Sequence, residues 1–357
     1  MMEQRIARLR KQMHDRGIRA MLVSHPVNRR YITGFTGSAG LALITAEEAV
    51  LVTDFRYLTQ VKEQAPHLSV SEHKGQIFGA VAEACRKLGI QSLAFEQDHL
   101  TYAQHKQLEE ALDGIPTQPV SGLVEQLRMI KDEEELAIIR QAARIADQTF
   151  EQIVKEIQPG MRETEIAMRL EFIIREMGAS SSSFDIIVAS GKRSALPHGT
   201  ASDKRLEKGD LVTLDFGAYY KGYASDITRT IVLGKPSEKQ KEIYDIVLEA
   251  GKLAISAIRP GITGREADAA ARDYIARHGY GGYFGHGTGH GLGLEVHEAP
   301  RLSPQGDTPL APGMVVTVEP GIYLPDFGGV RIEDDVLVTE AGGEVLTHCT
   351  KELIIID

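Results

Sequence analysis

Four carboxylates and one glycine-flanked histidine in the second half of the chain have the types and spacing of a metal centre. Asp215 ends the apolar run Leu211-Val-Thr-Leu, and Glu319 ends the similar run Val315-Val-Thr-Val. Each is followed by a second acid, Asp226 after eleven residues and Glu333 after fourteen. Acids embedded among Val, Leu and Ile must raise their pKa, pair with cations or bind metal. The arginines close by in sequence, Arg229 and Arg331, are too few to neutralise four charges. An imidazole comes from Gly285-His-Gly-Thr-Gly-His-Gly-Leu-Gly293, where glycine at every second position rules out a normal helix for His286 and His290. Such a segment lets the backbone approach a ligand closely, and no Gly-Lys-Ser/Thr or dinucleotide fingerprint accompanies it. Oxygen donors with one imidazole suit a pair of divalent ions, which can activate water against a carbonyl.

An internal repeat predicts how these residues meet. Ile157, Pro159, Gly160, Glu165, Ile174 and Gly178 recur 101 residues later as Ile258, Pro260, Gly261, Glu266, Ile275 and Gly279. The segment Gly209–Tyr219 recurs 104 residues later as Gly313–Tyr323, so Asp215 corresponds to Glu319. The pattern implies two half-domains, each helical and then a strand hairpin, related by an approximate twofold axis. The Asp215/Asp226 midpoint lies between Tyr220 and Lys221 beside Gly222, which predicts a tight turn with the two aspartates facing each other across the strands. The Glu319/Glu333 midpoint falls at Asp326, in the turn-like Leu-Pro-Asp-Phe-Gly-Gly.

The elements that must position this centre are those of an α/β chain. A helix starting at Asp132, with Glu135 completing a capping box, carries Leu136, Ile139, Ala143, Ala146, Phe150 and Ile153 at helical spacing. Before it, helix and strand signals alternate: a helix over Arg5–Asp15, a strand over Ala20–Ser24, and a hairpin of Leu41–Thr45 with Ala49–Thr53. A helix over Gln76–Leu88, a strand over Ser92–Phe95 and a helix over Tyr102–Leu112 follow. The stretch Gly114–Gly122 reads as a linker, giving domains at residues 1–122 and 123–357. A formal charge of −10 argues against a nucleic-acid surface. The two separated cysteines, the absence of an apolar signal core and the absence of any long apolar run predict a cytoplasmic protein without a membrane span.

Taken together and in order, the motifs resemble the creatinase/aminopeptidase family of pita-bread metallopeptidases. Asp215-Phe-Gly, Ser225-Asp226-Ile-Thr-Arg-Thr, His286-Gly-Thr-Gly-His290-Gly-Leu-Gly, Val318-Glu319-Pro-Gly and Arg331-Ile-Glu333-Asp match its metal-ligand motifs. Leu196-Pro-His198-Gly and Val296-His297-Glu match its catalytic-histidine motifs, and Tyr31–Gly37 is similar to the N-terminal domain of its proline-directed branch. The resemblance implies an N-terminal creatinase-like α/β domain and a C-terminal pita-bread domain with a pseudo-twofold repeat. It implies two divalent ions, with Mn expected and Co, Zn or Fe as alternatives. Asp215 and Asp226 would hold one ion and His290 and Glu319 the other, with Asp226 and Glu333 bridging. Glu319 would shuttle a proton, while His198 and His297 would bind the substrate and the tetrahedral intermediate. His286, Arg301 and Arg331 would contact substrate, Arg301 resembling a position that grips a dipeptide carboxylate. The implied activity is hydrolysis of Xaa-Pro bonds in short proline-containing peptides, by a homodimer. An Xaa-Pro dipeptidase is expected, with Xaa-Pro aminopeptidase as the alternative. Methionine aminopeptidase lacks so long an N-terminal domain, and a non-catalytic binding module typically lacks the complete ligand set.

Overall fold

The computed structural model describes residues 2–357. The chain forms two compact units that divide after Arg128. The first is a six-stranded sheet flanked by helices. Its central strand Ala20–Val23 runs antiparallel to Leu41–Thr45 and parallel to Leu93–Glu96. All four side chains of that strand are buried, as expected for a strand covered on both faces.

The stretch expected to be a linker is instead an edge strand. Thr117–Val120 pairs in parallel with Leu93–Glu96 and then leads into the helix Leu123–Arg128 of the same unit. Pro119 misled the sequence reading, because proline argues against a strand in general yet is tolerated on an edge, where its missing N–H costs no ladder bond.

The second unit repeats itself. Helices Glu133–Ile153 and Glu163–Glu176 precede the antiparallel strands Leu211–Phe216 and Ile227–Leu233, and helices Glu238–Ala257 and Gly264–Arg277 precede Val315–Val318 and Asp334–Thr339. Asp132 caps the first helix in a capping box with Glu135. Each half has its own apolar core: Ile145, Phe150, Ile173 and Val212 sit in one, Ile243, Val247, Ile275 and Val316 in the other. The repeated glycines share their backbone angles, with φ of 90° and 89° at Gly160 and Gly261, and 95° and 88° at Gly209 and Gly313. These are left-handed conformations that glycine adopts without penalty, so the repeated letters mark repeated turns. The Gly160 and Gly261 amides both donate at 2.8 Å, to the carbonyls of Leu206 and Leu310. Among the described residues no helix is long and apolar enough to cross a membrane.

The first hairpin departs from expectation in register. The turn is the two-residue Lys221-Gly222, both at positive φ, between paired Tyr220 and Tyr223. Asp215 therefore lies opposite Thr228, and Asp226 sits two residues nearer the turn, diagonal to Asp215 rather than facing it. The cause is a turn one residue later than the midpoint of the two acids. The turn residue Asp326 also has positive φ, and there the ladder keeps a constant register from Val318↔Asp334 to Gly321↔Arg331. Glu319 and Glu333 occupy matching places in the gap between those paired segments.

Candidate active site

The hairpins bring the acids to one place. Ligand atoms of Asp226, His290 and Glu333 lie within 4.8 Å of one another. His290 Nε2 is 3.7 Å from Asp226 Oδ2 and 3.6 Å from Glu319 Oε1. Asp215 joins through Arg331, whose Nη2 donates to its Oδ2 at 2.6 Å. Among the described residues this is the one Arg or Lys pairing made by any of the four acids.

Three observations show that the donor set fits divalent cations. Asp215 Oδ1, Asp226 Oδ1 and Glu333 Oε1 are buried without a hydrogen-bond partner, a costly state for carboxylate oxygens. Burial, reinforced by the neighbouring acids, pushes the Asp226 and Glu333 carboxyls well above the usual carboxylate range and Glu319 up to about 8. The third lies in His290. Its Nδ1 is 3.0 Å from the Gly291 carbonyl, which can only accept, so Nδ1 carries the proton and Nε2 the lone pair. Burial holds this imidazole neutral by lowering its pKa to about 4. A lone pair aimed at two carboxylates is repulsive until a cation lies between them, and the carbonyl bond fixes the ring for that role.

Close backbone approach explains the glycines here. A Cβ on Gly289 would fall 1.9 Å from the Thr317 carbonyl oxygen, and one on Gly217 would fall 1.8 Å from that of Ser225. His290 N also donates to Thr317 Oγ1, at 3.1 Å.

His297 is exposed, with its ring centroid 4.4 Å from that of His290, and burial of part of the ring together with His198 lowers its pKa. His198 is exposed on the loop beyond Ser194. Arg301 is exposed and pairs in register with His290 on the neighbouring strand. Directly opposed residues share a sheet face, so Arg301 projects on the imidazole side. His286 is not among the grouped ligands. Its Nδ1 donates to the Gly287 carbonyl at 2.8 Å and its Nε2 accepts from the Tyr323 hydroxyl at 2.7 Å. Arg331 is 3% exposed, deep beneath the acids rather than at a surface.

Three participants escaped the sequence reading. Tyr323 accepts from Arg331 Nη1 at 3.0 Å, linking His286 through Arg331 to Asp215. Thr228 Oγ1 donates to Glu333 Oε2 at 2.7 Å and accepts from Arg331 Nε at 3.1 Å. Asp335 Oδ2 accepts the Asp226 amide at 3.1 Å. Strand alternation could have found Thr228 and Asp335, each two residues beyond an acid and so on its face. Tyr323 gave no signal beyond its match to Tyr219.

Residues 137–340 match metallopeptidase family M24, and residues 5–130 match the creatinase/prolidase N-terminal domain. The structure of an Xaa-Pro dipeptidase from Bacillus anthracis is 56% identical with a TM-score of 0.98, over 100% of both chains. An Xaa-Pro dipeptidase from Pyrococcus horikoshii is 44% identical over 99% of both chains. An X-Pro aminopeptidase structure from Thermotoga maritima is 42% identical with a TM-score of 0.90, over 95% of this chain and 98% of the other. The chain belongs to metallopeptidase family M24 and has its mixed α/β fold, a creatinase-like N-terminal domain followed by the metallopeptidase domain.

Proposed function

We propose that this enzyme is an Xaa-Pro dipeptidase that hydrolyses short proline-containing peptides with two divalent ions, Mn foremost. The observation that carries the reading is the set of buried, unpartnered carboxylate oxygens around the His290 lone pair. Asp215, Asp226, His290, Glu319 and Glu333 would hold the ions. Ions bound there would polarise the scissile carbonyl and lower the pKa of the attacking water.

The protein's own groups do the rest. Glu319 takes a proton from water and returns it to the leaving nitrogen. Ions bound beside it would favour its ionised form, which leaves it able to accept that proton. His297 and His198 donate to the substrate and to the developing oxyanion at the exposed side of the cluster. His286 is held by Gly287 and Tyr323 as a fixed wall of the substrate site, and Arg331 orients Asp215. Arg301 grips the C-terminal carboxylate of a dipeptide, a role supported by its exposure and its register with His290.

A second reading, Xaa-Pro aminopeptidase, draws on the Thermotoga maritima structure. The Mn-loaded protein assayed on Ala-Pro and Ala-Pro-Ala, with an EDTA-treated control, separates the two. Cleavage confined to the dipeptide is expected. Release of alanine from the tripeptide turns the reading to aminopeptidase, and inactivity on both overturns it. The reading extends to a cytoplasmic homodimer. The buried free thiols of Cys85 and Cys349 suit a reducing compartment, and sedimentation tests the dimer.

A further inference from the structure

The metallopeptidase domain contains a cavity of about 200 Å³ on the far side of the strands that carry Glu319 and Glu333. Its wall is apolar: Leu248 and Ile255 from the helix Glu238–Ala257, then Val318, Ile332 and Val345. Two lysines also line it, Lys351 with 29% of its side chain exposed and Lys252 with 54%. These mark the open end, whereas Val318 at 1% and Ile332 at 4% form the floor.

Gly251 makes the room. It lies inside a helix, where glycine is a poor former, and its φ is not in the left-handed region. A Cβ there would meet only Pro320, at 3.7 and 4.0 Å, which is ordinary contact. Neither backbone conformation nor crowding requires glycine at this position, and its missing side chain leaves the space open.

The charged groups that line the cavity are two lysines, Lys252 and Lys351, and one carboxylate, Asp334. Asp334 already accepts from Arg229 Nη2 at 3.0 Å and Thr347 Oγ1 at 2.9 Å when Lys351 Nζ joins it at 2.7 Å. One carboxylate thus serves two cations, and Lys252 adds a third positive group whose partner, Glu249, is 3.6 Å away on the surface. A ligand for this cavity has an apolar body and one negative end. An added ammonium, as in a free amino acid, would find Asp334 as the one carboxylate lining the cavity, and its oxygens are already taken. The volume is below the roughly 300–1,000 Å³ of sites for drug-sized ligands, so the body is small.

We propose that this cavity binds a small aliphatic monocarboxylate, with the chain against the apolar wall and the carboxylate on Lys351 and Lys252. Val318 and Ile332 immediately precede Glu319 and Glu333, so the occupant braces the backbone that carries two of the metal-binding acids. The cavity is thereby an effector site, a consequence that rests on the metal assignment above; binding itself does not.

The test uses 4-methylpentanoate as the probe and the intact protein with labelled methyl groups. Saturable NMR shifts are expected at Leu248, Ile255, Val318, Ile332 and Val345, with 4-methylpentan-1-ol binding at least tenfold more weakly. Lys351→Met should weaken the acid at least tenfold, and Gly251→Leu should abolish its binding. No saturable shift, shifts centred elsewhere, or equal binding of acid and alcohol overturns the proposal. Because Gly251→Leu can fail to fold, Lys351→Met and the alcohol decide the matter by themselves. Saturating acid should also lower the Mn concentration needed for half-loading at least twofold, read by calorimetry. Binding that leaves this midpoint unchanged overturns the effector role, and it is distinguishable from failure of the peptidase reading because neither measurement requires turnover.

Discussion

The two hairpins of the metallopeptidase domain carry the same pair of acids in different registers. In the first, Asp215 stays inside the ladder opposite Thr228, and Asp226 lies two residues nearer a two-residue turn. In the second, a three-residue loop and a return strand with two more residues before the acid bring Glu333 level with Glu319. There the ladder is interrupted, and both backbone amides bond elsewhere: Glu319 N to the Thr288 carbonyl at 2.7 Å and Glu333 N to that of Thr228 at 3.0 Å. Asp215 sits inside a continuous ladder, whereas Asp226, like both glutamates, lies in a gap between paired segments, its amide on Asp335 Oδ2 at 3.1 Å; the second hairpin carries glutamates, one methylene longer than the aspartates of the first. Duplication supplied equivalent positions; loop length and side-chain length then adjusted each pair separately.

The comparison can be broken most directly at Asp226. Asp226→Asn should lower kcat/KM by well over the ~10–100-fold typical of losing an outer partner of a metal ligand, with a parallel fall in metal content by elemental analysis. Near-normal turnover at full metal loading would remove the first hairpin from the site. His297→Ala should cut kcat by roughly 10²–10³-fold, as for a lost oxyanion donor, while metal content stays at the wild-type level. Metal loss would make His297 a ligand. The side-chain length argument is sharpened by Glu333→Asp, expected to cost ~10–100-fold in metal affinity. An unchanged affinity would show that the second hairpin does not need the reach of glutamate. Tyr323→Phe removes the bridge between His286 and Arg331 and should cost about tenfold in kcat/KM, at the low end for an outer partner, with metal retained.

The smallest effect is a pH dependence of the metal-free protein. Glu319 is raised to about 8, and Asp226 and Glu333 are raised in the same direction, so the folded state binds more protons than the unfolded state above the normal carboxylate pKa. That contribution to stability is present at low pH and is lost as pH rises towards 8. His286 and His290, lowered to about 4 by burial, act oppositely, but only between about 4 and their ordinary value near 6.5. Between pH 6.5 and 8 the acids alone act, so Tm of EDTA-treated protein should fall and the increment from added Mn should grow. A flat or rising Tm of the stripped protein over that range would mean that the acids are not desolvated together.

Much of this was readable before any coordinates. The four acids, the repeat and most helices and strands follow from residue type and period, because amphipathic spacing and glycine turns are local physics, whereas the choice of His290 over His286 came from the family resemblance. The capping box at Asp132 is one such case, and the paired left-handed glycines are another. The edge strand at Thr117–Val120 was hidden because its stability comes from Leu93–Glu96, more than twenty residues away, and not from its own composition. The sequence by itself pointed to the acids and histidines that could take part in the chemistry, but not to Tyr323, Thr228 or Asp335. Tertiary structure alone decided their register, the His290 tautomer and the chain from His286 through Tyr323 and Arg331 to Asp215. Two of these three hydrogen bonds join residues 37 and 116 positions apart, and no periodicity within a segment encodes which distant partner a buried polar atom will meet.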